Sequence, residues 1–254
     1  MFHDPELSRT TNGTGRIDSQ PWQGMLEHVR TTKEPHQPIP VFSDVLDILM
    51  DPRNVNVKLN LDCKIENDPV RLFDLVHAAL KEYEDWQTRL AHRIILGLWH
   101  PKFIVPALDI LPFLPRYAIS MSIPEIRKYF FNTCQGFSIR QECRENGKNV
   151  CVWTVNGREE MRECARWGVK SVISDKPAVW MEIKSEIEKN RKRALRPTVQ
   201  TYVLPFLSYK NYWFDVERAA REETEYLERE GGKFENVVLP EVSMRVAKPA
   251  DLLA

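Results

Sequence analysis

A histidine and an aspartate stand side by side near the start of the chain, at the head of a polar loop. His3 and Asp4 begin the segment HDPELSRTTNGTG, which occupies residues 3–15. The pair combines a titratable imidazole with a neighbouring carboxylate, and such groups carry out general acid–base catalysis. The rest of the segment is polar and punctuated by glycine, so it offers little to a hydrophobic core. We predict that the segment belongs to a functional site; the alternative for His3 is a terminal residue without a chemical role.

A second pair of charged residues ends an alternating segment, VNVKLNLDCK, at residues 55–64. Alternation of apolar and polar residues with a period of two is typical of a β-strand with two different faces. Leu59 and Leu61 share one face, whereas Asp62 and Lys64 lie on the other. Charged side chains are costly to bury unless they bind something. We therefore favour a binding or catalytic role for Asp62 and Lys64 over a surface pair at a strand end.

The elements that must position these residues alternate between strands and helices from residue 41 to residue 190. Such alternation predicts βαβ units and a parallel sheet. We predict six strands, at residues 55–64, 93–99, 117–122, 136–139, 150–156 and 169–174. Polar residues recur at their carboxyl ends, which is the active-site face of a (β/α) barrel. They are Asp62, Lys64, His100, Ser122, Asn156 and Asp175.

The composition excludes some classes of function. The chain has 254 residues, with 36 basic and 36 acidic side chains, and this balance argues against an electrostatic nucleic-acid binder. The five cysteines form no CxxC pair, which favours free thiols in a reducing compartment. We see no signal peptide and no apolar run long enough for a transmembrane helix. These features predict an intracellular protein without a membrane span.

Four segments, taken in order, resemble the glycerophosphodiester phosphodiesterase family, which has a TIM-barrel fold. They are HDPELSRTTNGTG, NVKLNLDCK, VCVWTVNGREEM and GVKSVISDKP. The segment LGLWHPKFIVPA at residues 96–107 is most similar to the fungal branch of that family, the phosphatidylglycerol-specific phospholipases C. The resemblance covers roughly residues 2–182.

The resemblance implies site residues and a cofactor. The family cleaves a phosphodiester with a divalent cation and two histidines, of which His3 matches the second. Asp62 matches the third acidic metal ligand, usually a glutamate, and could bind Mg²⁺ or Ca²⁺. Lys64 matches a lysine that acts on the phosphate. Trp153 and Arg9 are the predicted substrate-binding residues, although a tryptophan in a strand is equally often a core residue.

The sequence departs from the family pattern at its start. The family's first strand carries a His-Arg-Gly motif and its second a Glu-x-Asp pair, and neither motif occurs here. The six predicted strands correspond to the last six of eight. We therefore expect an α/β fold of the TIM (β/α)8 type that lacks its first two strands through N-terminal truncation. The predicted organisation is a catalytic domain over 1–190 and an extension over 191–254.

The sequence predicts two alternative functions for the protein. The first is a phosphoric diester hydrolase of lipid metabolism, cleaving glycerophosphodiesters or phosphatidylglycerol. The second is a catalytically inactive fragment or paralogue that binds phospholipid headgroups or a partner. The aromatic residues of 202–214 follow a basic run and have two interpretations. They form either a helix that packs on the barrel or a peripheral membrane contact.

Overall fold

The computed structural model describes residues 1–138 and 149–240, apart from the side chains of residue 200 and residues 202–216. Six parallel strands form one sheet, in which each strand pairs with the next along the chain. The strands are β1 (Leu59–Cys63), β2 (Ile94–Leu98), β3 (Arg116–Ile119), β4 (Gly136–Ser138), β5 (Asn149–Val152) and β6 (Ser171–Val172). The sheet curls into a half-barrel, which confirms the predicted incomplete barrel of six parallel strands.

Helices precede, connect and follow the strands. They are α1 (Phe42–Met50), α2 (Pro69–Lys81), α3 (Trp86–Arg89), α4 (Ile104–Ile110), α5 (Ile123–Glu125, continued by a π-helical turn at Ile126–Phe130), α6 (Arg158–Trp167), α7 (Pro177–Ala194) and α8 (Val199–Gly231). Local signals set several ends. Asp68 caps α2, ahead of a proline in the first turn, and Gly168 ends α6 with φ at 68°.

The observed strands are shorter than the predicted ones. The segment before β1 forms a 3₁₀ turn at Pro52–Asn54, and pairing begins only at Leu59. Strands β5 and β6 also pair over fewer residues than the strands predicted at 150–156 and 169–174. The predicted strand at 136–139 reaches residue 139, which lies outside the described residues. The sequence pattern can continue past the end of a strand, because it does not depend on whether the backbone is hydrogen-bonded to an adjacent strand.

The main core lies between the sheet and the helices. Large side chains from α2, the 3₁₀ turn before α4 and the π-helical turn after α5 are fully buried there, including Phe73, Phe103 and Phe130. Four cysteines, Cys63, Cys134, Cys151 and Cys164, are buried and free, in agreement with the predicted thiols. The fifth, Cys143, lies outside the described residues.

Residues 1–40, predicted to be a loop, contain two 3₁₀ helices and their own small core. Leu7, Leu26 and Ile39 form that core and are nearly inaccessible. Antiparallel bridges join Glu6 to Arg16 and Thr11 to Thr31. Frequent glycines and prolines prevent long elements here, yet they allow a compact segment. This segment carries His3 and holds it in place.

The part of α8 that lies nearest its carboxyl end packs on the carboxyl edge of the sheet. Glu223 accepts hydrogen bonds from the Ser120 hydroxyl at 2.7 Å and from the Met121 amide at 2.8 Å. Burial raises the pKa of this carboxyl group. Beyond it, Leu227 is buried, and the His100 ring donates from Nε2 to the Gly232 carbonyl at 2.9 Å. This part of the predicted extension is thus attached to the sheet.

Among the described residues, none of the helices has the length and apolar character to cross a membrane.

His100 makes this attachment sensitive to acid. Its Nδ1 accepts from the Lys102 amide at 2.9 Å, so protonation of the ring would remove that bond. Burial lowers the pKa of His100 below its ordinary value of 6.5, with Lys102 acting in the same direction; the hydrogen bond to the Gly232 carbonyl and the Glu228 charge act against it. A lowered pKa means that the stabilisation is present above pH 6.5 and is lost as the pH falls through 6.5 towards the folded-state pKa.

We expect the free energy of unfolding of the wild type to fall more steeply below pH 6.5 than that of His100→Gln, which cannot titrate there. The extra loss is at most about 1.4 kcal/mol for each pH unit. Urea unfolding at pH 7.5 and 5.5 measures it. Parallel losses in the two proteins would contradict the prediction.

Candidate active site

The site lies where several parallel strands end at the same edge of the sheet. Asp62 is the fourth residue of β1, and Lys64 follows that strand directly. Trp99 follows β2, and Trp153 follows β5. β1 and β2 pair in parallel register, with Asp62 opposite Gly97 and Cys63 opposite Leu98. Alternation therefore brings Asp62 and Trp99 to the same face of the sheet.

Glycines make room on that face for large side chains. A Cβ on Gly97 would lie 2.7 Å from the Ile119 Cδ1 and 3.0 Å from the Asn60 Oδ1. A Cβ on Gly136 would lie 2.6 Å from the ring of Tyr117. These contacts show that Asn60, Tyr117 and Ile119 share the inner face with the site residues.

The Asp62 carboxylate is at the centre of the site. Its Oδ1 accepts a hydrogen bond from the Trp99 indole Nε1 at 2.6 Å. Its Oδ2 forms an ion pair with the Lys64 Nζ at 2.7 Å, and each of these two charged side chains is 28% exposed. Lys64 also lies over the Trp99 ring, 5.2 Å from its centroid. Both charged groups thus have partners while staying accessible to a ligand.

His3 faces this pair from the N-terminal segment. Its Nε2 lies 3.4 Å from the Lys64 Nζ and 4.0 Å from the Asp62 Oδ2. Its Nδ1 lies 2.7 Å from the Asp4 Oδ1. An ionised carboxylate can only accept, so the Nδ1 of His3 donates. The neutral ring then presents the Nε2 lone pair to the site, as a general base requires.

Arg9 holds Asp4 in its ionised form. The guanidinium contacts both Asp4 oxygens, with Nη2 3.0 Å from Oδ1 and Nε bonded to Oδ2. Hydrogen bonds from Arg9, and secondarily from His3, lower the pKa of Asp4 to about 2. Arg9, predicted to bind substrate, is therefore placed behind His3 on the far side of Asp4. The hydrogen bonds and charge of Asp4 raise the pKa of Arg9, and the nearby Asp175 carboxylate adds a smaller contribution.

Trp153 forms an aromatic wall with Trp99. The two ring centroids are 5.8 Å apart in an edge-to-face arrangement. The Trp153 indole donates to the Ser138 carbonyl at 2.9 Å, and the side chain is only partly buried. One edge of Trp153 thus packs on protein, and its role in substrate binding stays a prediction.

Sequence reasoning missed Trp99 and selected its neighbour, His100, as the histidine at the site face. His100 is fully buried and its ring contacts Phe234, with centroids 4.5 Å apart. Alternation along β2 was the signal that could have separated them. Gly97 and Trp99 share the inner face, whereas Leu98 and His100 share the outer one.

A divalent cation does not fit the described residues as they stand. Asp62 offers a carboxylate, but both of its oxygens have partners, and Asp4 is bound by Arg9. Throughout the described parts of the chain, no three His, Cys, Asp or Glu side chains are grouped to hold one metal ion. The expected metal site would need ligands additional to these.

Comparisons with known proteins agree on one family. A model of the glycerophosphoryl diester phosphodiesterase family matches residues 114–179, which include Trp153 and Asp175 but not His3, Asp62 or Lys64. A glycerophosphodiester phosphodiesterase of Caldanaerobacter subterraneus subsp. tengcongensis is 22% identical over 198 residues, covering 70% of this chain and 76% of the relative.

Solved structures share the fold. A phosphodiesterase of Oleispira antarctica, in complex with the product sn-glycerol-3-phosphate, has a TM-score of 0.58 at 20% identity, covering 71% of this chain and 77% of its own. A glycerophosphoryl diester phosphodiesterase of Parabacteroides distasonis has a TM-score of 0.54 at 18% identity, with coverages of 73% and 70%. At such identity the likeness establishes the fold alone. Together, the comparisons support the glycerophosphodiester phosphodiesterase family.

The Arg9–Asp4 pair gives a test of how His3 is held. We expect Arg9→Gln to raise the pKa of Asp4 from about 2 towards its ordinary value of 3.8, because the principal hydrogen-bond donor is lost. Carboxyl ¹³C NMR during an acid titration measures that pKa. Arg16→Gln, which removes a similar exposed partner from Asp18, is the control and should leave Asp4 unchanged. An Asp4 pKa that stays near 2 in Arg9→Gln would contradict this account.

Proposed function

We propose that the site hydrolyses the phosphodiester bond of glycerophosphodiesters. The observation that carries the proposal is the position of the His3 Nε2, 3.4 Å from the Lys64 Nζ, with an ionised Asp4 on the opposite ring nitrogen. An imidazole oriented by a carboxylate and facing a cation is suited to proton transfer next to a bound phosphate. The supported family has the same substrate class in its name.

The side chains of the site have different roles in the proposed reaction, which follow from their charges. Lys64 binds a phosphoryl oxygen as a compact point charge, and the rim of Trp99 and Trp153 contacts the rest of the substrate. His3 supplies one proton transfer, and Asp4 stabilises the imidazolium that forms. Arg9 keeps Asp4 ionised and correctly turned. The family pattern assigns the other proton transfer to a second histidine, in the His-Arg-Gly motif that this sequence does not contain.

A divalent cation remains part of the proposal through the chemistry of Asp62. Carboxylate oxygens are preferred ligands of Mg²⁺ and Ca²⁺, and such an ion would neutralise charge on the phosphoryl oxygens. Asp62 is 4.0 Å from the His3 Nε2, so a ligand at its Oδ2 would lie next to the proposed base. The ion would require further ligands, which two additional strands with the Glu-x-Asp motif would provide.

Two substrates of different size fit this chemistry. The phosphatidylglycerol-specific, phospholipase C type reaction is the narrower proposal, and the similarity of residues 96–107 to the fungal branch supports it. A water-soluble glycerophosphodiester is the broader proposal, and the bound sn-glycerol-3-phosphate in the Oleispira antarctica relative supports it. Both reactions release a glycerol phosphate, whereas diacylglycerol is released only by the first.

The second candidate function is headgroup binding without turnover. It is favoured by the lack of a metal-binding group of three side chains among the described residues. It is favoured also because, among the described residues of the site, His3 alone supplies an imidazole. A chain of this kind would bind glycerol phosphate groups through Lys64 and release no product. Mapping the 5′ end of the transcript decides whether a longer chain with both missing motifs is made, and that chain is assayed beside residues 1–254.

We expect His3→Gln and Lys64→Met to lower the rate of glycerol phosphate release by about 100-fold or more, because one removes the base and the other the phosphate cation. The assay compares glycerophosphoglycerol with phosphatidylglycerol vesicles, with and without a chelator. His36→Gln is the matched control, since His36 is another exposed histidine paired with a neighbouring acid, Glu34.

Equal rates in His3→Gln and His36→Gln would overturn the catalytic role of His3. Binding of glycerol phosphate that depends on Lys64, in the absence of turnover by either chain, would support the binding function instead.

We also propose a peripheral membrane contact near residues 202–214, whose side chains lie outside the described residues. The basic turn, defined as Asn190–Pro197, provides support. Its four exposed basic side chains line an open pocket of about 860 Å³; they are Arg191, Lys192, Arg193 and Arg196. Arg166, near the end of α6, donates from Nε to the Leu195 carbonyl at 3.0 Å and fixes the turn. Anionic headgroups attract such clusters.

The turn lies at the end of the sheet opposite the site. Helix α6 begins after the carboxyl end of β5 and returns to the amino end of β6, so Arg166 is a helix length away from Trp153. A membrane bound by the turn would therefore anchor the protein without covering His3. Soluble substrate would reach the site freely in this orientation.

We expect Lys192→Gln/Arg193→Gln to lower partitioning onto anionic vesicles roughly 30-fold, at about 1 kcal/mol for each basic residue. Vesicle flotation at low salt measures the partitioning. Lys33→Gln/Lys58→Gln removes the same charge from exposed positions elsewhere and is the control. Equal losses in the two double variants would reduce the effect to net charge and contradict a contact at the basic turn.

A further inference from the structure

We propose that Trp99 is a positioning residue that keeps Lys64 available to the phosphate by holding one oxygen of Asp62. The inference deepens the proposed function, since it rests on Lys64 as the phosphate-binding cation. It also has a structural part that stands apart from any activity, namely the hydrogen bond between the Trp99 indole and Asp62.

The indole fixes how the carboxylate is presented. An indole N–H can only donate, and its distance of 2.6 Å from the Asp62 Oδ1 marks a strong bond to an ionised acceptor. The other oxygen, Oδ2, is left for Lys64 at 2.7 Å. The two oxygens of Asp62 thus have different partners: Oδ1 is bound by Trp99, and Oδ2 faces Lys64 in the site.

Competition between Trp99 and Lys64 for Asp62 has a consequence for the ammonium group. Without the indole, both carboxylate oxygens would be open to Lys64, and the ammonium would use more of its N–H donors within the pair. With the indole in place, Lys64 contacts one oxygen and keeps donors for a phosphate. The Trp99 ring favours the same placement, because the ammonium lies 5.2 Å from its centroid.

The position of the Trp99 ring is fixed by its contact with Trp153. Trp153 packs edge-to-face on Trp99, and its own indole is bonded to the backbone of Ser138 at 2.9 Å. The chain of contacts therefore runs from β4 and β5 through both tryptophans to Asp62 in β1. A carboxylate held in this way needs no reorganisation when a ligand binds.

The experiment measures binding of sn-glycerol 3-phosphate by calorimetry and the indole N–H resonances by NMR. We expect Trp99→Phe, which keeps an aromatic ring but loses the N–H, to weaken binding about tenfold, as for loss of a hydrogen bond to a charged group. Trp22→Phe removes the indole N–H of an exposed tryptophan in the N-terminal segment, outside the site, and is the control that should leave binding unchanged. In an Asp62→Ala background, Trp99→Phe should have almost no further effect.

The NMR reading separates this inference from the proposed function. In the wild type the Trp99 indole proton should resonate downfield, and it should move upfield in Asp62→Ala while that of Trp153 stays. A wild type that binds no glycerol phosphate but shows this shift would refute the proposed function and support the positioning of Asp62. An indole resonance that is unmoved by Asp62→Ala, or an equal loss of binding from Trp99→Phe in both backgrounds, would overturn the inference.

Discussion

The site depends on a single negative charge placed on the inner face of the sheet. Asp62 could not remain there unpaired, since an ionised carboxylate at a partly buried position requires donors. Trp99 and Lys64 supply them from the ends of adjacent strands, at 2.6 and 2.7 Å. His3 is then held next to the resulting pair by the N-terminal segment. Each of the other site residues is positioned, directly or through one or two partners, with respect to this carboxylate.

Parallel pairing is what brings these groups together. In a parallel sheet every carboxyl end lies at one edge, so residues about ninety positions apart in sequence, such as Asp62 and Trp153, are linked through one intervening side chain, Trp99. Small residues at Gly97 and Gly136 then allow Ile119 and Tyr117 to fill the inner face. The same edge receives α8, through Glu223 and the backbone of Gly232, so the carboxyl-terminal part of the chain stabilises the strand ends that carry the chemistry.

The sequence was sufficient for the sheet and for part of the site. Alternation over residues 59–64 correctly placed Asp62 and Lys64 together, because a period of two determines the face when the strand is known. The same period continues through the end of β2, where a difference of one residue separates Trp99 on the inner face from His100 on the outer one. Arg9 shows a different limit. Its partner is Asp4 within a compact segment of 3₁₀ helices and bridges, and no local pattern predicts how such a segment folds.

Charge balance explains why this site, as described, calls for a further positive group during phosphodiester chemistry. Asp4 is neutralised by Arg9, and Asp62 by Lys64. An entering phosphodiester adds one negative charge, and a glycerol phosphate product adds a second near neutral pH. A proton on His3 can offset the first of these charges. The second requires a cation, either a metal ion or a further side chain, and this electrostatic need gives a physical reason for the divalent ion that the family pattern implies. Lys64 can serve the phosphate only while Asp62 is partly satisfied by another donor, which is the role that Trp99 fills.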